Sequence, residues 1–384
     1  MREGWTYKTF GEVFDLQMGR TPDRKNPSLF GGDNIWVSIR DIDGKYIDDS
    51  KEHITNEAVV KSGIKLVKKG TVIMSFKLTV GKCAIVRKDL YTNEAIMAFN
   101  VNEGFILDSS FLYYYLQGYQ WSGTNKAVMG LTLNKATISK QKIAIPPLAE
   151  QERIVAELDL LTSIIDKKKA QLKELDQLAQ SIFYDMFGTT IEEKGWEVKK
   201  MGEIGTFQRG GGFLKSDFVE NGVPCIHYGQ IHMKFGPFLY QHLTEIPKEV
   251  AAKSKIASKG DVIIAITSED VEGSCKCTAW LGDYDVYVGA HAAIFKHSLN
   301  PIYVSYYIGA SEFQREKQKY VHGIKVMEIK PSDIEKINIL LPPLPLQKEF
   351  ASKVEAIERQ KTLIQQSIDE VQTLFDSRMD YWFG

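Results

Sequence analysis

The stretch Ile145–Leu158, "IPPLAEQERIVAEL", closes a β-like run on two prolines and opens into residues at helical spacing. The stretch Leu341–Val354, "LPPLPLQKEFASKV", repeats the junction 196 residues later. Proline ends a strand because it cannot donate to the ladder, and it suits a helix start, where the first N–H groups have no partner within the helix. After the first junction, Ile154, Leu158, Leu161, Ile165, Lys168, Leu172, Leu175, Ala179, Ile182 and Met186 alternate four and three residues apart. This is a heptad seam interrupted only by Lys168. The second series, Phe350, Val354, Ile357, Lys361, Ile364, Ile368, Val371, Phe375, Arg378 and Trp382, keeps the same register. Both segments finish on Phe-Gly, at Phe187-Gly188 and Phe383-Gly384, and glycine there is a helix stop. Each segment predicts a helix of about 38 residues, roughly 57 Å long. A long helix with one apolar stripe is unstable alone, and the simplest partner for each is the other, running antiparallel.

The repetition continues upstream. "GWTYKTFGEVFDLQMGRTP" from Gly4 is echoed by "GWEVKKMGEIGTFQRGGGF" from Gly195, and "VKKGTVIMSF" from Val67 by "ASKGDVIIAI" from Ala257. The chain reads as a tandem duplication of globular domain and long helix. Short β-branched runs broken by Gly, Asn and Asp, with a few helical patches, make each globular part mixed but mainly β. The predicted fold class is α+β: two mixed, mainly β domains joined by two long antiparallel helices, with an internal pseudo-two-fold. The predicted divisions are 1–145, a first globular domain; 146–188, a central helix; 189–341, a second globular domain; and 342–384, a C-terminal helix. Two inverted modules at fixed separation suit a duplex DNA read in two pieces, although protein partners could use the same symmetry.

Composition fits a soluble globular chain of two domains, with 43% hydrophobic and 25% charged residues in 384. No apolar run approaches the ~18 residues that cross a bilayer, and "MREGWTYKTF" lacks the apolar core of a signal peptide. The cysteines, Cys83, Cys225, Cys275 and Cys277, form no C-x-x-C pair, and such sparse, irregular use fits a reducing cytoplasm, the expected location. No metal site is expected, because packing on a strand explains Cys275 and Cys277 better than ligation with His291 or His297. Net charge is +5 over residues 1–145, −3 over 146–188, −1 over 189–341 and −2 over 342–384. A reader of DNA with a net charge of only −1 needs partner subunits for much of any phosphate neutralisation.

Catalytic patterns are missing. "IPPL" and "LPPL" have neither the Asn or Asp before the prolines nor the aromatic after them that an amino-methyltransferase uses. "RGGGF" at Arg209 is not a G-x-G-x-x-G after a strand, and "PSDIEK" at Pro331 reads as a helix start. None of these motifs supports an enzyme, though their absence is not proof against one.

Across essentially its whole length the sequence resembles the specificity subunits of type I restriction-modification systems. The segments that carry this are "LQMGRTPDRKNPSLFGGDNIWVSIRDI", "IMSFKLTVGKCAIV", "LNKATISKQKIAIPPLAEQERIVAELD", "KSDFVENGVPCIHYGQI" and "INILLPPLPLQKEF". The resemblance implies two target-recognition domains, each reading one half of a split double-stranded DNA site. It implies helices that set the spacing and dock methyltransferase (modification) subunits, and through them a restriction/translocase subunit. The chain would be a non-catalytic subunit with no cofactor of its own, and adenine methylation and DNA cleavage, with S-adenosylmethionine, ATP and Mg, would belong to the partner subunits. A stand-alone DNA-binding or adaptor protein on the same duplicated scaffold is the alternative.

The candidate DNA contacts are polar residues in loops after strands. In the first half they are Arg20, Thr21, Arg24 and Lys25 in "GRTPDRK", Ser38 and Arg40 in "VSIRD", Ser75, Lys77, Thr79 and Lys82 in "SFKLTVGK", and Lys126, Thr132 and Lys135. Ser38 and Arg40, and likewise Ser75, Lys77 and Thr79, are read as one face of a strand. In the second half they are Arg209, Lys215, Tyr228, Gln230, Thr267, Ser268, Lys276, His322 and Lys325. Arginine forks onto guanine and glutamine pairs with adenine in the major groove. "RGGGF" and "AITSEDVEGSCK" replace the first half's "GRTP" and "SFKLTVGK", so the halves are expected to read different sequences. The tyrosines Tyr113, Tyr114, Tyr115, Tyr306 and Tyr307 lie at helical spacing and read as core.

Overall fold

The computed structural model describes residues 2–122, 125–127 and 130–384, without the side chains of 125–127 and 130–132. The chain forms two compact units: Met1–Lys169 with Gln366–Gly384, and Ala170–Gln365. Each is built on a five-stranded sheet. In the first unit the strands are β1 (Phe14–Met18), β2 (Tyr46–Ile47), β3 (Val72–Ser75), β4 (Cys83–Val86) and β5 (Ile96–Val101), in the order β1-β5-β3-β4-β2. In the second they are β6 (Gly205–Arg209), β7 (Phe238–Leu239), β8 (Val262–Ala265), β9 (Cys277–Trp280) and β10 (Ala292–His297), in the order β6-β10-β8-β9-β7. The two orders are the same permutation. In both sheets every pair is antiparallel except the last, β4 with β2 and β9 with β7.

The central strands are apolar on both faces. β3 and β8 are buried throughout, as a strand covered on two sides must be. In the first unit one face packs on Phe111, Leu112 and Tyr114 of the helix Ser109–Gly118, and the other on Val37, Ile42 and Leu90. In the second unit the helix Pro301–Gly309 covers the equivalent face with Tyr303, Val304 and Tyr307. The tyrosines are core, as their spacing indicated. A smaller sheet sits beside each large one: His53–Ile54, Phe30–Val37 and Tyr91–Thr92 in the first unit, and Thr244–Ile246, Val223–Ile226, Val286–Val288 and Lys255–Ala257 in the second.

The doubled proline junction has a physical reason. The long helices α1 (Leu148–Phe187) and α2 (Leu344–Phe383) each begin just after a Pro-Pro pair. The glutamine four residues after the second proline, Gln151 or Gln347, is 1% exposed. Gln151 donates to the Pro146 and Ile106 carbonyls at 3.0 and 3.1 Å and accepts from the Asp108 N–H at 2.8 Å. Gln347 donates to the Pro342 carbonyl at 2.8 Å and accepts from the Asn300 N–H at 2.9 Å. One amide thus ties strand end, helix start and neighbouring loop together without leaving a buried polar group unpaired.

The seam residues line the helices within each unit. Ile154 and Leu158 of α1 are fully buried in the first unit's core with Met379 and Trp382 of α2, and Phe375 packs against them. Leu161, Ile165 and Ile368 farther along the helices are also buried, and Val371 is half-buried. Glu157 accepts from the Arg378 guanidinium, which is 3.1 Å away at Nη2, and from the Trp382 indole at 3.2 Å. In the second unit Phe350, Val354 and Ile357 of α2 are buried, the Phe350 ring lies 5.4 Å from both Phe183 and Phe187 of α1, and Lys361 pairs with Asp176 at 2.7 Å. Within the second unit partners on α2 fall in number as those on α1 rise, from Asp176 with Lys361 to Phe187 with Phe350, so the helices run antiparallel there.

One part of the heptad reading is corrected. Toward the end of α1 the buried face is Ala179, Phe183 and Phe187, spaced four apart, while Leu172, Leu175, Ile182 and Ile364 are only half-buried. A helix with 3.6 residues per turn drifts by about 20° per heptad from a strict 3.5 repeat, and here it is not supercoiled back. Lys361, which interrupts the second stripe, is clamped by Asp176 and by Glu358 at 2.7 Å.

Candidate nucleic-acid interface

Strand register places the candidate loops of the first unit at one end of its sheet. Met18, the last residue of β1, faces Met97, and Ser75, the last of β3, faces Ile96. The loops Gly19–Asn26 and Phe76–Lys82 therefore leave side by side. The first is held down by its backbone: the Arg20 N–H donates to the Thr92 carbonyl at 2.9 Å and the Trp36 indole donates to the Arg20 carbonyl at 3.0 Å. Gly19 is required there, since a Cβ would lie 2.0 Å from the Thr92 carbonyl oxygen.

The candidate side chains fall into two groups. Several are engaged within the unit. Arg24 forks onto Glu52 at 2.5 and 3.0 Å and lies over the rings of Phe30 and Trp36, each 4.8 Å away. Glu52 also takes Arg40 at 3.3 Å. The hydrogen bond from Arg24 holds the Glu52 carboxyl below the usual carboxylate range, and the same bond raises the arginine. Arg20 donates to the Ser62 carbonyl at 3.0 Å and Thr21 to Glu94. The others are exposed: Lys25, Thr79, Lys82 and Lys135, with Lys77 half-exposed 5.3 Å from the Phe76 ring.

Two face assignments are corrected. Residues Ile39–Asp41 form a 3-10 turn, and Ser38 is 7% exposed with its hydroxyl and N–H on Asp41 at 2.7 and 2.8 Å. Ser38 therefore caps the turn and does not share a strand face with Arg40. Ser75 is fully buried; its hydroxyl donates to the Thr79 carbonyl and accepts from the Lys82 N–H at 3.0 Å, which pins the loop. It lies beneath Lys77 and Thr79, not beside them. The side chains of Lys126 and Thr132 lie outside the described residues.

The second unit repeats the layout. Arg209 ends β6 opposite Ala293, and Ala265 ends β8 opposite Ala292. Thr267 and Ser268 continue into a short ladder with Met327 and Glu328. Arg209 pairs with Glu328 at 3.2 Å and donates to the Ala290 carbonyl at 3.1 Å. Lys215, Lys276, His322 and Lys325 are exposed and Ser268 half-exposed; Tyr228 is half-buried, its ring 4.6 Å from His227 and 4.9 Å from His291. Burial first, then the neighbouring His291 and Lys215, holds the His227 imidazole below its ordinary value. Gln230 is corrected: 7% exposed, it accepts from the His227 N–H at 2.9 Å and donates to Thr244 Oγ1 at 3.0 Å, so both ends of its amide are taken up inside the fold. Thr267 is 5% exposed and is likewise interior.

The organising residues Glu52, Glu94 and Glu328 were not singled out by sequence. Each is a carboxylate in a polar stretch that is distant in sequence from the cation or hydroxyl it holds. Cys275 and Cys277 are pushed up to about 12 by burial, so they are protonated thiols, and among the described residues no group of three or more His, Cys, Asp or Glu could hold a metal. No helix among the described residues is long and apolar enough to cross a membrane.

The family described as "Type I restriction modification DNA specificity domain" matches the chain twice, over residues 2–177 and 193–373. Among its relatives are two from Methanocaldococcus jannaschii. The type I restriction enzyme MjaIX specificity subunit is 24% identical over 382 residues, covering 92% of this chain and 86% of the relative. The MjaVIII specificity subunit is 23% identical over 384 residues, covering 93% and 86%. In fold, the chain matches one from a study of complex assembly and conformational transition of the type I R-M system, with a TM-score of 0.63, 21% identity and coverage of 100% and 98%. It also matches the S subunit from M. genitalium, at 0.51, 12%, 99% and 96%. With two copies of the domain, on two units of one topology, the chain belongs to the family of type I restriction-modification DNA specificity subunits.

Proposed function

We propose that each unit reads one half of a bipartite double-stranded DNA target and that α1 and α2 set the spacing between the halves and dock methyltransferase subunits. The observation that carries this reading is the duplicated sheet, with the same strand order in both units and candidate loops leaving equivalent strand ends. Exposed lysines of those loops supply phosphate grip, while the loop sequences, which differ between units, supply base readout. On this reading the exchangeable modules are residues 1–145 and 189–341, and 146–188 and 342–384 form the shared frame.

The chain itself supplies position, not chemistry. Adenine methylation, and cleavage by a restriction/translocase subunit, reside in partners together with S-adenosylmethionine, ATP and Mg, and the assembly works in the cytoplasm. Leu160, Leu178 and Leu363 are 61%, 47% and 65% exposed on the long helices and give such partners apolar footing. A net charge of −1 requires that the partners carry much of the phosphate neutralisation. Methylation sequencing of a host expressing the complete operon tests the reading: a single split motif, methylated on adenine in both halves, is expected. Tight DNA binding by this chain alone, with no methyltransferase subunit captured, would instead favour the stand-alone scaffold.

A further inference from the structure

The two units solve one backbone problem differently. Where β3 turns into β4, the Gly81 N–H donates to the Ser75 carbonyl at 2.9 Å, and where β8 turns into β9, the Cys275 N–H donates to the Ala265 carbonyl at 2.9 Å. The following residues, Lys82 and Lys276, each accept from a strand-end N–H at 2.8 Å, so Gly81 and Cys275 are equivalent. Both are left-handed, with φ of 93° and 63°. Glycine adopts that conformation freely; a cysteine does so only where its surroundings hold it.

The holder is Lys317, the last residue of the helix Ser311–Lys317. Its side chain is 1% exposed, and its ammonium donates to the Ser274 carbonyl at 2.5 Å and the Glu272 carbonyl at 3.0 Å. A buried lysine is costly, and here it faces the backbone of one loop. That loop is longer than its counterpart: ten residues separate Ile266 from Cys277, against six between Phe76 and Cys83. It is folded on itself, with the Gly273 N–H on Asp270 at 2.6 Å and the Ser274 hydroxyl on the Val271 carbonyl at 2.6 Å. Beneath it are Ser274 and Cys275, fully buried; above are Glu269, Asp270, Val271, Glu272 and Lys276, all exposed. In the first unit Gly81 takes the equivalent position, Leu78 of the same loop is left-handed too with a φ of 66°, and Ser75 pins the loop; among the described residues no buried lysine lies beneath it.

We propose that Lys317 is a positioning residue for the loop Ser268–Lys276, setting which side chains that loop presents to the second half of the DNA target. This rests on the two-part reading proposed above. Burial lowers the ammonium's affinity for its proton, and the nearby Asp270 and Glu272 carboxylates act in the opposite direction.

The test uses the complete modification complex in a host without competing methylation, read by methylation sequencing. The wild type establishes the motif; no split motif there would overturn the two-part reading and this proposal with it. Lys317→Met is expected to relax the half assigned to residues 189–341, with methylation at single-base variants of that half rising at least tenfold and the other half unchanged. Adding Cys275→Gly, which lets the backbone turn without a clamp, is expected to restore discrimination. Val288→Ala, in the same unit's core, is the stability control: matched for melting temperature, it should reduce methylation without altering the motif. If Lys317→Met yields no soluble complex, Lys317→Gln with Cys275 retained carries the comparison. An unchanged motif in the Lys317 variant that retains Cys275, or equal relaxation in Val288→Ala, would overturn the proposal.

Discussion

Gln151 and Gln347 show how a single residue decides a junction. Each is an interior amide whose partners are backbone groups, so truncation leaves those groups buried and unpaired. Gln151→Ala and Gln347→Ala are each expected to cost about 2–3 kcal/mol in denaturant unfolding of their own unit. Loss of less than half that would mean that water or a shifted loop satisfies the orphaned groups. His297 offers a second residue-scale check. Burial pushes its imidazole down to about 4, with Asp261 and the Leu299 backbone pulling weakly the other way. The unfolded chain takes up that proton near pH 6.5, so the folded state keeps its full advantage above that pH and loses it as pH falls toward about 4. Chemical denaturation from pH 7 to 4 should show up to about 3 kcal/mol of loss from this group, a limb that His297→Leu flattens. At this scale the sequence was least informative. Arg24, Arg40 and Gln230 look like readers of DNA in any local pattern, yet their partners Glu52, His227 and Thr244 are brought to them only by the fold. A lysine in "SEFQREKQKY" likewise reads as solvated, and nothing local marks Lys317 as buried.

Among elements, the long helices were legible because proline stops, glycine ends and an apolar stripe all agree. The seam was legible in composition and less so in phase. A strict heptad assigns Ile182 and Met186 to the contact, while the packed side chains are Phe183 and Phe187, one position on, because the helix keeps its own 3.6-residue period. Phe350, ringed by Phe183, Phe187 and Tyr306, therefore has a larger role than its neighbours on the stripe. Phe350→Ala is expected to destabilise the second unit by about 3–5 kcal/mol. Leu363→Ala, at a site 65% exposed, should change stability by less than about 0.5 kcal/mol. In a pull-down, Leu363→Asp should weaken capture of the methyltransferase subunit without unfolding the chain; undiminished capture would remove that face from the docking surface. The lysine in the second stripe has a physical account too: Lys361 sits between Asp176 and Glu358, and its clamp favours one pairing of the helices over shifted ones.

For the whole molecule, duplication was the strongest signal in the sequence, and it survives in the strand order of both sheets. The halves differ where β3 and β8 hand over to their neighbours, in loops of six and ten residues. A conserved frame with unlike loops is what independent half-site readers require. The most direct measurement is methylation sequencing of a complex in which residues 1–145 are replaced by the corresponding segment of another family member. The account predicts that one half of the methylated motif changes while the other half and the spacing between them stay the same. A motif altered in both halves, or in neither, would contradict it.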